Sequence, residues 1–144
     1  MEICRIIETE YEKGLSDRDL KRECFKYARV KFQGKIFKNS DTGQDILVSR
    51  DGLDKWNNAT KSREQSISIK KLDTILIDSR KIDSETDRKN RYTVDGYTYF
   101  ASYVNINEMS YEIILLTRQT HGKDSKYYYH FLKDIKIKPD SGLA

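Results

Sequence analysis

The chain has 144 residues, 27 Lys and Arg against 23 Asp and Glu, and a formal net charge of +4. That length predicts one domain able to bury one core, and no apolar run approaches the roughly 18 residues of a membrane span. Cys4 and Cys24 are too few for a disulfide scaffold and match no metal motif. A net charge this small is carried by many proteins that bind no nucleic acid.

The stretch from Met1 to Arg5 lacks the basic start and apolar run of a secretory leader. With so few cysteines, a reduced cytosolic setting is expected. Ile3, Ile6, Ile7 and Tyr11 fall at helical spacing, and Gly14 predicts the end of that helix. Ser16 to Asp19 reads as a capping box with Asp in place of Glu. Leu20, Cys24, Tyr27, Ala28 and Phe32 then form the apolar stripe of a second helix. On that stripe Cys24 reads as a core thiol rather than a nucleophile. The basic residues between, Lys21, Arg22, Lys26 and Arg29, read as a solvated face.

At Gly34 the period changes. Residues 35–38 and 45–49 predict two short strands around the turn-forming run from Asn39 to Gly43. Arg50-Asp51-Gly52 breaks the second strand, and residues 53–63 read as an irregular polar stretch. From Ser66 the spacing is helical again, with Ile69, Leu72, Ile75, Leu76 and Ser79 on one face. Residues 84–91 are charged and aperiodic and read as an exposed loop.

The last third is rich in strand formers. Residues 92–94 and 97–104 flank Asp95-Gly96, a hairpin signal. Residues 105–110 read as a turn, 111–117 as a central strand, 120–124 as a second turn and 127–137 as the last strand. The order predicts a single α+β domain, with N-terminal helices (1–33) on one face of a small, twisted antiparallel sheet held within 34–138.

The side chains suited to chemistry are few. There are only two His, and no HExxH, P-loop or GxSxG pattern is present. Neither a metal nor a cofactor is expected. What remains is His, Lys, Arg, Tyr and hydroxyl groups, an inventory that suits metal-free RNA cleavage. There a 2′-OH loses a proton, a 5′-oxygen gains one, and fixed donors offset the phosphorane charge.

The densest segment runs from Lys126 to Lys133. As a regular strand it sends Tyr127, Tyr129 and Phe131 to one face and Tyr128, His130 and Leu132 to the other. His130 would then stand beside Tyr128 as a general acid or base, with Lys126 and Lys133 holding RNA. The same pattern also reads as a Tyr-rich strand with a solvent-facing His. Thr117 and Arg118 at a strand end could grip a phosphate, or could simply be a polar strand end. Ser49, Arg50, Lys55 and Trp56 sit where a strand meets a loop, a place where function concentrates. Trp56 could stack a base or anchor the loop, and His121 reads as a surface residue.

Residues 34–135 resemble the large polyvalent-protein-associated domains of phages and mobile elements, which are related to the barnase, EndoU, colicin-tRNase and RelE-like nucleases. The resemblance rests on Gly34-Lys35, Thr42-Gly43, Ile46 to Ser49, Gly52 and Lys55. It continues through the helix at 72–79, the strands at 97–104 and 111–116, Gly122, Tyr127 to His130, and Ile135. It implies a pair of helices on a twisted antiparallel sheet. It also implies a toxin tip that cleaves tRNA without metal in the bacterial cytoplasm, delivered by a phage or from another cell within a larger toxin. A dedicated immunity protein would neutralise it. Lys55 and His130 match by position and chemistry; Ser49, Thr117, Arg118 and Tyr128 match by location. The two-His arrangement of EndoU is missing unless His121 supplies the second, and so is the Glu/His pair of barnase. A non-catalytic module that binds protein or nucleic acid is the alternative.

Overall fold

The computed structural model describes residues 3–86, 96–119 and 125–134. Its elements are β1 (Cys4–Ile6), α1 (Glu10–Lys13), α2 (Asp17–Lys31), β2 (Ile36–Lys38), β3 (Asp45–Leu47), α3 (Arg50–Ala59) and α4 (Arg63–Ser68). A single 3-10 turn (Ile69–Lys71) leads to α5 (Leu72–Asp78). Then come β4 (Arg80–Thr86), β5 (Gly96–Ile106), β6 (Met109–Gln119) and β7 (Ser125–Asp134).

The strands form one seven-stranded sheet in the order β1-β5-β6-β7-β3-β2, with β4 also on β5. The sheet is mixed, not antiparallel throughout: β1 runs parallel to β5 and β3 runs parallel to β7. The α+β class stands, with helices against a curled sheet of mixed topology. Local sequence carries no signal for parallel pairing between segments about 80 to 100 residues apart, so alternation alone favoured a meander.

The N-terminus departs most from its helical period. Residues 4–6 are a strand, because β5 offers them an edge, and α1 is a single turn. Arg63 fixes this region. Its Nη1 donates to Leu15 O and Asp17 Oδ1, both at 2.8 Å, and its Nη2 donates to Glu8 Oε2 and Glu12 O, both at 2.9 Å. One guanidinium thereby satisfies two carbonyls that a longer helix would have used itself.

α2 follows its stripe except at Tyr27, which is exposed. Ser16 caps it by accepting from Asp19 N–H, and Leu20, Cys24 and Ala28 are buried. The predicted helix from Ser66 is split by the 3-10 turn, yet Ile69, Leu72, Ile75, Leu76 and Ser79 are all buried as the spacing required. The four apolar residues among them meet Phe100, Val104, Ile106, Ile113 and Leu115 of the sheet in one core. Asn39 ties the β2–β3 turn to the end of α5. Its amide donates to Leu76 O and Ser79 O, and its Oδ1 accepts from Asp41 N–H and Thr42 N–H.

Two loop expectations give way to regular structure. Residues 80–86 form β4, antiparallel to β5, so 84–86 of the loop expected over 84–91 are strand, and 87–91 lie outside the described residues. Residues 50–59 form α3, capped by Ser49, with Gly52, Leu53 and Trp56 buried on one side. The predicted strand at 92–94 and the turn at 120–124 lie outside the described residues. The turn after β5 shrinks to Asn107 and Glu108, both at positive φ, as a two-residue hairpin demands.

The key junction is between α3 and β7. β3 pairs with β7 only at Ser125 and Lys126. Beyond that point α3 takes the place of a strand. Gly52 makes this possible, since a Cβ there would lie 2.1 Å from Tyr127 O. Gly52→Ala should therefore destabilise the fold by about 3 kcal/mol or more, the upper end of the usual overpacking cost. Urea unfolding would test it, and a change under about 0.5 kcal/mol, the range of a neutral surface substitution, would refute the close approach.

Candidate functional site

A β-bulge decides which side chains of β7 meet solvent. Leu116 pairs with Tyr129, but Thr117 pairs with Tyr127, so Tyr128 is an extra residue in the ladder. Regular alternation would put Tyr127 and His130 on opposite faces. The bulge puts both on the helix side, where each is buried. The expected pairing of His130 with Tyr128 on one open face is thus corrected by one inserted residue.

His130 is enclosed by polar partners. Its Nε2 lies 2.8 Å from Ser68 Oγ and its Nδ1 lies 2.9 Å from Tyr127 Oη. Ser68 Oγ donates to Gln65 O at 2.6 Å, so it accepts from the imidazole. That assigns the proton to Nε2 and leaves Nδ1 to accept from the Tyr127 hydroxyl. Gln65 Nε2 donates to His130 O at 2.9 Å, and the Trp56 ring centroid lies 6.1 Å from that of His130. Burial holds the imidazole down to about 3, from the usual 6.5, and pushes the Tyr127 phenol well up. A chain of neutral hydrogen bonds thus joins β7 to α4.

Tyr128 turns the other way, into a cationic cluster. Lys55 Nζ lies 5.1 Å from its ring centroid and Arg118 Cζ lies 5.5 Å from it. Tyr97 meets the same ring edge-on at 5.8 Å. Asp51 Oδ2 lies 3.9 Å from Arg118 Nη2, one helical turn before Lys55 on the same flank of α3. Arg118 Nε is buried with no hydrogen-bond partner among the described residues. Lys126 pairs with Arg118 in the ladder, as Arg118 does with Tyr97, so one rung carries Tyr97, Arg118 and Lys126.

The expected site residues thus divide. Lys55, Arg118 and Tyr128 come together, with Lys126 on the adjoining rung. His130, Trp56 and Thr117 are each buried on the core side. Thr117 Oγ1 donates to Thr98 O at 3.3 Å. Trp56 anchors α3 rather than offering a ring to solvent. Ser49 Oγ accepts from Gly52 N–H at 3.1 Å and caps α3. Arg50 is exposed and pairs with Asp54 at 4.0 Å. Lys133 pairs with Glu112 in the ladder, and His121 lies outside the described residues. Cys24 is buried, and its thiol is pushed up to about 12 chiefly by desolvation, which fits a core thiol.

Sequence reasoning did not single out Asp51, Tyr97, Gln65 or Ser68. The alternation of Tyr97, Tyr99 and Tyr103 was a visible signal for the second of these. Ser62 and Gln65, at capping-box spacing, marked the start of α4, where Gln65 N–H donates to Ser62 Oγ. Among the described residues no group of His, Cys, Asp and Glu is placed to hold a metal ion, and no helix is long and apolar enough to cross a membrane.

Residues 16–131 match the family model of large polyvalent protein-associated domain 3. The match begins earlier than residue 34, so it takes in α2 as part of the family's own fold. No curated protein and no solved structure matches the chain significantly.

The buried imidazole has a thermodynamic consequence. The unfolded chain takes up a proton at His130 below about pH 6.5, while the folded chain refuses it until about pH 3. Stability should therefore fall with pH by about 1.4 kcal/mol per unit below pH 6.5 from this group alone. Urea unfolding between pH 7 and pH 5 checks it, above the range where carboxylates titrate. His130→Gln should flatten the slope in that window; an unchanged slope would remove His130 as its source.

Proposed function

The chain belongs to the large polyvalent protein-associated domain 3 family, and we propose that it is a metal-independent endoribonuclease domain acting through Lys55, Arg118 and Tyr128. The observation that carries this reading is the convergence of α3, β6 and β7 on one phenol, with two cations within 5.5 Å of its ring. Arg118 and Lys55 bind the scissile phosphate and offset the charge of the phosphorane. As the 2′-oxygen bonds to phosphorus, its proton passes to solvent, and the phosphorus–5′-oxygen bond breaks. The Tyr128 hydroxyl protonates the departing oxygen, leaving a 2′,3′-cyclic phosphate. RNA supplies its own nucleophile, so this route requires no metal.

His130 has a positioning role in this scheme. It holds Tyr127 inward, and the bulge beside it aims Tyr128 at the cations. The substrate we assign is tRNA in the bacterial cytoplasm, reached as part of a larger phage or mobile-element toxin and restrained by an immunity protein. One observation favours a second reading. With His130 sealed in the core, the cluster around Tyr128 includes no imidazole among the described residues, and so lacks the usual acid–base side chain. The same cations and ring would then bind RNA without cutting it.

Purified protein incubated with total tRNA in EDTA separates the two. Discrete fragments ending in cyclic phosphate are expected from the wild type. Lys55→Ala and Arg118→Ala should each lower the rate by at least about a hundredfold, the usual loss of a transition-state donor. Tyr128→Phe should cost about as much, as for a lost general acid. The pH profile should lack an inflection near 6.5. Intact tRNA would favour the binding module, and normal growth of cells expressing the domain alone would agree with it.

A further inference from the structure

The sheet carries aromatic side chains beside this cluster that the cleavage step does not use. On β5, Thr98 and Phe100 are buried toward the helices, so Tyr97 and Tyr99 face the opposite side of the sheet. Both are half-buried, and Tyr97 contacts Tyr128. Their Cα atoms are about 7 Å apart, two strand residues, so each ring can take its own base.

Charge is asymmetric around these rings. On one side Tyr97 is in register with Arg118 and then Lys126. On the other, β4 places Asp83 in register with Tyr99. β4 also carries Arg80, in register with Ala101, so the asymmetry is local to the two rings: there an anionic backbone is drawn toward Arg118 and Lys126 and repelled by Asp83. Bases attached to that backbone would then lie over β5.

We propose that Tyr97 and Tyr99 form a stacking platform for two unpaired nucleobases, which makes single-stranded RNA, not duplex, the ligand of this face. The inference rests on the reading of Lys55, Arg118 and Tyr128 as a phosphate site. Phosphate contacts alone do not distinguish single strand from duplex; exposed base faces do, and only unpaired bases offer them. Tyr97 is the nearer ring, and it positions the nucleotide next to the scissile phosphate by its edge-on contact with Tyr128.

Fluorescence anisotropy with a labelled ten-nucleotide 2′-O-methyl RNA tests this, since the blocked 2′-oxygen prevents cleavage. The same strand annealed to its complement is the comparison. The single strand should bind at least about tenfold tighter than the duplex. Tyr97→Leu and Tyr99→Leu should each weaken it by about 5- to 150-fold, the usual loss of one stacked base. Tyr97→Phe should bind as the wild type does. Replacing two adjacent nucleotides by abasic residues should cause a similar loss with the unaltered protein, so the result does not depend on a variant folding.

Equal binding of duplex, or indifference to abasic residues, overturns the platform. Cleavage of unmodified RNA, measured alongside, keeps the two readings separate. Cleavage with ring-indifferent binding removes the platform and leaves the nuclease. Ring-dependent binding without cleavage leaves the platform and removes the nuclease. No binding of either form overturns both and assigns the face to a protein partner.

Discussion

One inserted residue in β7 organises the rest of the molecule. A bulge there makes Tyr128 an extra residue in the ladder and turns its neighbours Tyr127 and His130 to the same face. The bulge is held in place because β3 leaves β7 after Lys126 and a helix, not a strand, continues along that edge. Helix and strand can approach so closely only where the helix has no side chain, at Gly52. The bare backbone of one residue and the irregular backbone of another are two halves of one contact.

That contact sorts the polar groups by environment. Inside, the imidazole, two hydroxyls and an amide are joined by direct hydrogen bonds, so none is buried without a partner. Such a network is costly to break, because each member left alone pays its full desolvation. Outside, two cations share one aromatic ring, an arrangement that concentrates positive charge around the phenol. Asp51 meanwhile holds part of the charge of Arg118. The residue types suited to acid–base work and to phosphate binding are therefore adjacent in sequence, yet separated by the thickness of the strand.

Much of this was legible in the residues. The stripes of α2 and of the 66–79 segment, the cap at Ser16 and the hairpin strands 97–104 and 111–117 all follow from local spacing. The resemblance to the polyvalent-protein-associated domains, read from short motifs, agrees with the family match over residues 16–131. Lys55, Arg118 and Tyr128 were among the residues read for their chemistry, and the fold brings these three together. Three things were not legible. Parallel pairing of β1 with β5 depends on an edge far away in sequence. Residues 50–59 look irregular because Gly52, Asn57 and Asn58 are poor helix formers, and packing on β7 overrides that preference. The face of His130 was misjudged because strand alternation assumes an unbroken ladder, and a bulge reverses every residue beyond it.

The parallel pairings also set an order of events during synthesis. β1 waits for β5, about a hundred residues later, before it has an edge to join, and β3 waits for β7. A growing chain can form α2 and the β2–β3 hairpin early, but contacts this distant are slow to close and come late. The phenol and its two cations come from α3, β6 and β7, so they meet only after residue 128 has left the ribosome. A nascent chain interrupted before that point would hold a partial sheet and an unassembled surface cluster, leaving the cell that makes it without the finished site.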